Sequence, residues 1–136
     1  MAEVNEDAAC PFCKIIENDE DESIIAQNLL AVSILDGFPL NPGHCLVMPR
    51  RHVSSFFDLE ADEREAMFAL LDLGKLLLDG SQRPDSYNIG INDGPMAGQT
   101  IGHCHMHLIP RFTGDVEDPR GGVRWVIPDK AKYWTE

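Results

Sequence analysis

Basic residues are scarce in this chain. Eleven lysines and arginines stand against 23 aspartates and glutamates, for a formal net charge of −12. That balance excludes a general binder of nucleic-acid polymers, which needs a basic face. It leaves room for a small phosphate ligand, because a pocket can be locally positive inside an acidic protein. Long apolar runs are missing, so no segment has the length to span a bilayer. The acidic start, MAEVNEDAAC, lacks the basic stretch and apolar core of a secretory signal. The expectation is a cytoplasmic protein with no membrane partner. Cysteine is sparse (Cys10, Cys13, Cys45 and Cys104), and in a reducing compartment four cysteines read as metal ligands or core residues rather than a disulfide framework. The standard nucleotide cradles, GxxxxGK(S/T) and a GxGxxG following a strand, are also missing.

What remains suits one domain of ordinary composition, with 43% hydrophobic and 25% charged residues in 136. Residues 1–9 read as a disordered acidic leader and Phe12–Ile16 as a short helix. Strands are expected at Ile24–Gln27, Leu29–Leu35, His44–Pro49, Ser86–Asn92 and Ile101–Ile109, the last stopped by Pro110. Between Ala61 and Leu78, Met67, Phe68, Leu70, Leu71, Gly74, Leu77 and Leu78 recur at helical spacing. Acidic residues crowd the start of that helix, and Gly80 is expected just past its end. Short loops between neighbouring strands favour antiparallel pairing. The fold class is therefore α+β, an antiparallel sheet of about five strands with one long helix on one side. The segment after Phe112 is Gly/Pro-rich and irregular, with apolar anchors expected at Trp125, Val126, Ile127, Tyr133 and Trp134.

The stretch GQTIGHCHMHLIPR places three of the five histidines at alternating positions, His103, His105 and His107. On a strand they would share one face, with Cys104, Met106 and Leu108 on the other. Such a row could be a solvated face. It could be a metal site, although positions 103 to 107 span ~13–14 Å of strand, too far for all three to reach one ion undistorted. Or it could handle phosphate, since neutral imidazole is a competent nucleophile or base near pH 7. The flanks suit the last reading. Gln99, Thr100 and Asn92 offer neutral donors, and Gly94, Gly98 and Gly102 let the backbone approach a ligand.

HCHMHLI has the form His-x-His-x-His followed by two apolar residues, and it resembles the histidine triad family of nucleotide hydrolases and transferases. NDGPMAGQT is similar to the substrate loop of the fragile histidine triad branch, and PGHCLVMPRRHV and CPFCKII extend the likeness. The likeness covers residues 10–112 as the domain, with 113–136 as a C-terminal extension packed on it. It implies the histidine triad fold, with a homodimer that pairs the long helices and extends the sheet. It implies a hydrolase that forms a covalent histidine–nucleoside monophosphate. His105 would attack the α-phosphorus, His107 would bond the phosphate or leaving-group oxygen, and His103 would support the strand. Gln99 is implied as a further catalytic group. Asn92 and Thr100 would hold phosphate oxygens, Asp36 the ribose hydroxyls, and Phe12, Ile15 and Leu46 would flank the base. Dinucleoside polyphosphates such as diadenosine tetraphosphate are the expected substrates. Phosphoramidates, or phosphate as acceptor in place of water, are the alternatives. The related galactose-1-phosphate uridylyltransferases carry glutamine where this chain has His107, which favours hydrolysis over uridylyl transfer. A nucleotide-sensing interaction protein with little turnover is the alternative of another class.

Cys10-Pro-Phe-Cys13 could be a redox pair, two ordinary cysteines, or half of a zinc site. In zinc-binding members of the superfamily the metal takes two cysteines, a histidine after the third strand and the first triad histidine. The resemblance thus implies structural zinc on Cys10, Cys13, His52 and His103, leaving His105 and His107 for phosphate. His44 reads as a hydrogen-bonded core histidine or as a supporting residue behind the triad.

Overall fold

The structure, a computed structural model, describes residues 9–135; most of the proposed 1–9 leader lies outside the described residues. A short helix α1 (Pro11–Ile16) precedes strands β1 (Ile24–Gln27), β2 (Ala31–Leu35) and β3 (Cys45–Pro49). Helix α2 (Ala61–Ser81) follows, then β4 (Ser86–Ile91) and β5 (Met106–Arg111). The five strands form one antiparallel sheet in the order β1-β2-β3-β5-β4. This is the expected α+β architecture. No helix among the described residues is long and apolar enough to cross a membrane.

The pleat assigns side chains to two layers. On one face Ala31, Val47, Cys104 and Met106 pack with Met67 and Leu70 of α2, and Cys45 and Leu108 pack with Leu78. On the other face Val32, Ile34, Leu46 and Met48 pack with Cys10 and Phe12 of α1. Gly74 lets α2 lie close on β5, since a Cβ there would sit 3.1 Å from the Leu108 side chain. The start of α2 is pinned by Glu63. This buried carboxylate accepts two hydrogen bonds from the Arg51 guanidinium at 2.9 and 2.8 Å and one from the Glu60 N–H at 2.8 Å.

Several boundaries differ from expectation, each for a local reason. Strand β2 begins at Ala31 rather than Leu29, because the Asn28 Oδ1 accepts the N–H groups of Leu30 and Ala31 and closes a turn there. Helix α2 runs through Gly80 to Ser81. The left-handed residue that ends it is Arg83 (φ 52°), whose N–H returns to the Leu78 carbonyl at 3.1 Å. Pro110 does not stop β5. Its carbonyl accepts from Asn41 Nδ2 at 2.9 Å on the side where β3 has already ended, so its missing N–H costs the ladder no bond.

The largest difference concerns the histidines. Strand β5 starts only at Met106, so His103 and His105 precede it. The Cys104 N–H is taken by the Val53 carbonyl at 2.7 Å, which draws residues 101–105 away from the ladder. The sidedness of the alternation survives, with Cys104 and Met106 still facing α2.

Candidate active site

Two clusters meet at residues 103–107. In the first, the Sγ atoms of Cys10 and Cys13 and one ring nitrogen each of His52 and His103 lie within 4.8 Å of one another. Cys13 Sγ is 3.2 Å from His52 Nδ1 and 3.6 Å from His103 Nδ1, and Cys10 Sγ is 3.6 Å from His103 Nδ1. Tetrahedral zinc with bonds of about 2.3 Å to sulfur and 2.0–2.1 Å to nitrogen requires S···N separations of about 3.5 Å, so the donor set fits that ion. The tautomer fits as well. His103 is fully buried and its Nε2–H donates to the Pro49 carbonyl at 2.8 Å, so Nδ1 carries the lone pair that faces the sulfurs. Cys45 and Cys104 are different. Burial pushes their thiols up to about 11 and about 12, and they remain protonated core residues.

The second cluster is a chain of imidazoles. The Leu40 N–H donates to His44 Nδ1 at 3.0 Å, so the His44 proton resides on Nε2. That Nε2–H donates to His107 Nδ1 at 2.9 Å, with Asp36 Oδ2 at 3.4 Å from the same nitrogen. His107 therefore carries its proton on Nε2. Burial is the main cause that depresses His107 to about 4, with His105 and His44 adding to it against Asp36. Burial also lowers His44, offset by Asp36. His105 is held differently. Its Nδ1–H donates to the His103 carbonyl at 2.9 Å, which leaves the Nε2 lone pair free. The His105 ring sits 5.2 Å from that of His107 and 5.0 Å from that of Phe12, centroid to centroid.

The other expected site residues are distributed as follows. Phe12, Leu46 and Ile15 share one apolar cluster beneath the histidines, and Leu46 pairs directly with His107 across β3 and β5. Asp36 caps its own loop through the Phe38 N–H at 2.8 Å while its other oxygen faces His44. Asn92 and Thr100 are exposed at the rim. Gln99 is engaged at both ends of its carboxamide. Oε1 accepts the Gly94 N–H, and Nε2 donates to the carbonyls of Ser54 and Ile101, so in this conformation Gln99 shapes the loop around the site. His44 is the residue that sequence reasoning undervalued. Its signal was position, one residue ahead of an apolar strand, and its partner lies 63 residues away.

A family model described as HIT domain matches residues 17–114. The chain belongs to the HIT family. It is 35% identical over 109 residues to AP-4-A phosphorylase of Mycobacterium tuberculosis, a match that covers 79% of this chain and 56% of that protein. It is 40% identical over 88 residues to the bifunctional bis(5'-adenosyl)-triphosphatase/adenylylsulfatase FHIT of Arabidopsis thaliana, covering 65% of this chain and 49% of that one. The HIT chain thus spans about half the length of each. A zinc-bound histidine triad family protein from Mycobacterium smegmatis superposes with a TM-score of 0.71 at 33% identity, covering 80% of this chain and 79% of that structure. Two of these relatives carry names of nucleotide chemistry, and over the HIT region this chain is similar to both.

The imidazole chain carries a pH expectation. His107 and His44 hold folded-state pKa values below their unfolded ones, so between about 6.5 and 4 the unfolded chain binds more protons than the folded one. The pair's contribution to stability is fully present above pH ~6.5 and drains as the pH falls to about 4. Urea midpoints measured across this range should drop more steeply for the natural chain than for His107→Gln. Equal slopes would show that the pair does not titrate as described.

Proposed function

We propose that the chain is a nucleotide hydrolase that cleaves at the α-phosphate through a covalent His105–nucleoside monophosphate intermediate. The observation that carries this reading is the fixed tautomer of His105. The His103 carbonyl holds the Nδ1–H, the Nε2 lone pair is free, and the positive charge that develops on the ring during attack is stabilised by that same bond. His107 presents an Nε2–H to a phosphate or leaving-group oxygen, and burial keeps it neutral so that it donates without competing for protons with solvent. In the first step the His105 Nε2–P bond forms and the bond from phosphorus to the leaving oxygen breaks. In the second, water attacks phosphorus, frees His105 and releases the nucleoside monophosphate. Asn92 and Thr100 bind phosphate oxygens, and Gln99 acts by holding the loop that carries them. Asp36 binds the ribose hydroxyls, and Phe12, Ile15 and Leu46 line the base site.

Dinucleoside polyphosphates are the proposed substrates, in keeping with the names of two relatives. The phosphorylase among them also supports a second reading, with inorganic phosphate as acceptor and a nucleoside diphosphate as product. Zinc on Cys10, Cys13, His52 and His103 is proposed as structural: when bound, it would tie the N-terminal segment to the residue whose carbonyl orients His105. A homodimer is proposed as the working form, because β4 is an edge strand and α2 leaves Phe68, Leu76 and Leu77 exposed.

The test is an intact-mass measurement on protein mixed with diadenosine tetraphosphate and stopped early. An acid-labile nucleoside monophosphate adduct should appear, and nucleotide products with it. Products without an adduct at any time point would remove the covalent mechanism, and products that depend on added phosphate would select the phosphorylase reading.

A further inference from the structure

The segment after the matched family region is folded, not trailing. Asp115 anchors it. Its carboxylate accepts from the Arg111 guanidinium at 2.8 Å through both oxygens, and from Asn41 Nδ2 at 2.8 Å and the Phe112 N–H at 3.0 Å. Two short 3-10 turns follow, Gly122–Val126 and Pro128–Lys130. Arg124 ties them together by donating to the carbonyls of Lys130 and Ala131. Ala131 is fully buried, whereas Val126, Ile127 and Tyr133, expected as anchors, are 73%, 56% and 73% exposed. The small residue fits under the Arg124 clamp; the large ones face outward. At Gly121 (φ 96°) the backbone passes so close to both tryptophans that a Cβ would lie 3.1 Å from Trp125 and 3.3 Å from Trp134.

Folded in this way, the tail roofs a cavity of about 1020 Å³ over β4 and β5. A site of that size accommodates a bulky organic ligand. Its floor carries His107 and Asn92, and its wall carries Trp125 and Trp134 together with Glu117, Asp118 and Lys132. Phe12, Leu46 and Asp36 are not part of it, so this space lies on the other side of the phosphate centre from the proposed nucleoside site. His107 borders both. The cavity is poorly suited to a bare polyphosphate. Arg111 is committed to Asp115 and Asn88, Asp118 is paired with Arg120, and the Glu117 carboxylate opposes bare anionic charge. It is well suited to a nucleoside. Indole rings stack with any base, a carboxylate accepts from paired ribose hydroxyls, and Lys132 can meet the nearest phosphate. The Trp134 Nε1–H is buried and has no acceptor among the described residues, a donor left for a ligand.

We propose that this tail-roofed cavity binds the nucleoside of the leaving half, making the chain selective for substrates with a nucleoside at both ends of the polyphosphate. The proposal rests on the hydrolase reading for its substrate, and on the cavity alone for its binding.

Both tryptophans of the chain line the cavity, so intrinsic fluorescence reports on it without labels. In a His105→Ala background, diadenosine tetraphosphate should quench the emission while saturating AMP leaves it nearly unchanged. In the active protein, Trp125→Ala and Trp134→Ala should lower kcat/KM for diadenosine tetraphosphate roughly five- to a hundredfold, the range of a lost base–aromatic stack. For adenosine tetraphosphate, which lacks the second nucleoside, the same variants should change little. Trp125→Phe and Trp134→Phe keep a ring and should retain most of the activity, which separates stacking from collapse of the tail. Equal losses on both substrates, or quenching by AMP as strong as by the dinucleotide, would overturn the proposal while leaving the hydrolase reading intact. Failure to turn over either substrate overturns the hydrolase reading instead, and the quenching experiment still judges the cavity.

Discussion

His105→Ala should lose turnover by a factor on the order of 10⁴ or more and form no nucleotide adduct, while its thermal melt stays close to that of the natural chain. The size of the loss follows from the division of labour. His105 alone has a ring nitrogen whose lone pair is free, because its other nitrogen is committed to the His103 carbonyl. His107 cannot substitute, since its Nδ1 already accepts from His44 and its remaining nitrogen carries a proton. Its pKa near 4 also makes it a weaker base than an ordinary imidazole. The expected loss for His107→Gln is smaller, ~10²–10⁴-fold, because glutamine still offers a donor at that place. Stability should be largely spared in His105→Ala because the ring is only half-buried and touches the apolar clusters through the edge of Phe12. A His105→Ala protein that still turned over at a tenth of the natural rate would move the nucleophile elsewhere and leave the chain nearer to the sensor class.

Cys13→Ser should purify without metal, melt ~10 °C or more below the natural chain and lose much of its activity, whereas Cys104→Ala should keep the metal. The four donors come from three separate places, the start of α1, the loop after β3 and the segment before β5. A bound ion therefore cross-links parts of the chain up to 93 residues apart. Replacing one thiolate leaves three donors that cannot hold zinc at structural affinity. The coupling to activity is geometric. His103 offers its ring to the metal cluster and its carbonyl to His105. Phe12, which lies between the two cysteines in sequence, packs its ring 5.0 Å from that of His105. Loss of the metal should thus blur the position of the nucleophile as well as loosen the fold. Elemental analysis that found no stoichiometric metal in the natural chain, or full metal in Cys13→Ser, would remove this cluster as a zinc site.

The layering was legible in the amino-acid order. The cysteine–histidine set and the roles within His-x-His-x-His came from the resemblance to a known family, and His44 was left outside the second cluster, whereas apolar periodicity located α2 and the five strands. Local signals of this kind survive because they depend on spacing along one element, and spacing is written in the chain. Boundaries were less legible, since they turn on single competing bonds: the Asn28 side chain that delays β2, the left-handed Arg83 that outlasts Gly80, and the Val53 carbonyl that takes the Cys104 N–H and postpones β5 to Met106. Tertiary structure alone decided three matters. It set the tautomers, because the partners of His44, His103 and His105 are backbone groups or a ring brought there by folding. It spent the Gln99 carboxamide on its own loop and on the Ser54 carbonyl. And it roofed β4 and β5 with a tail whose buried residue is Ala131 and whose tryptophans line a cavity. Each of these is a contact between segments distant in sequence or a choice among several available backbone partners, and neither kind leaves a periodic trace in the chain.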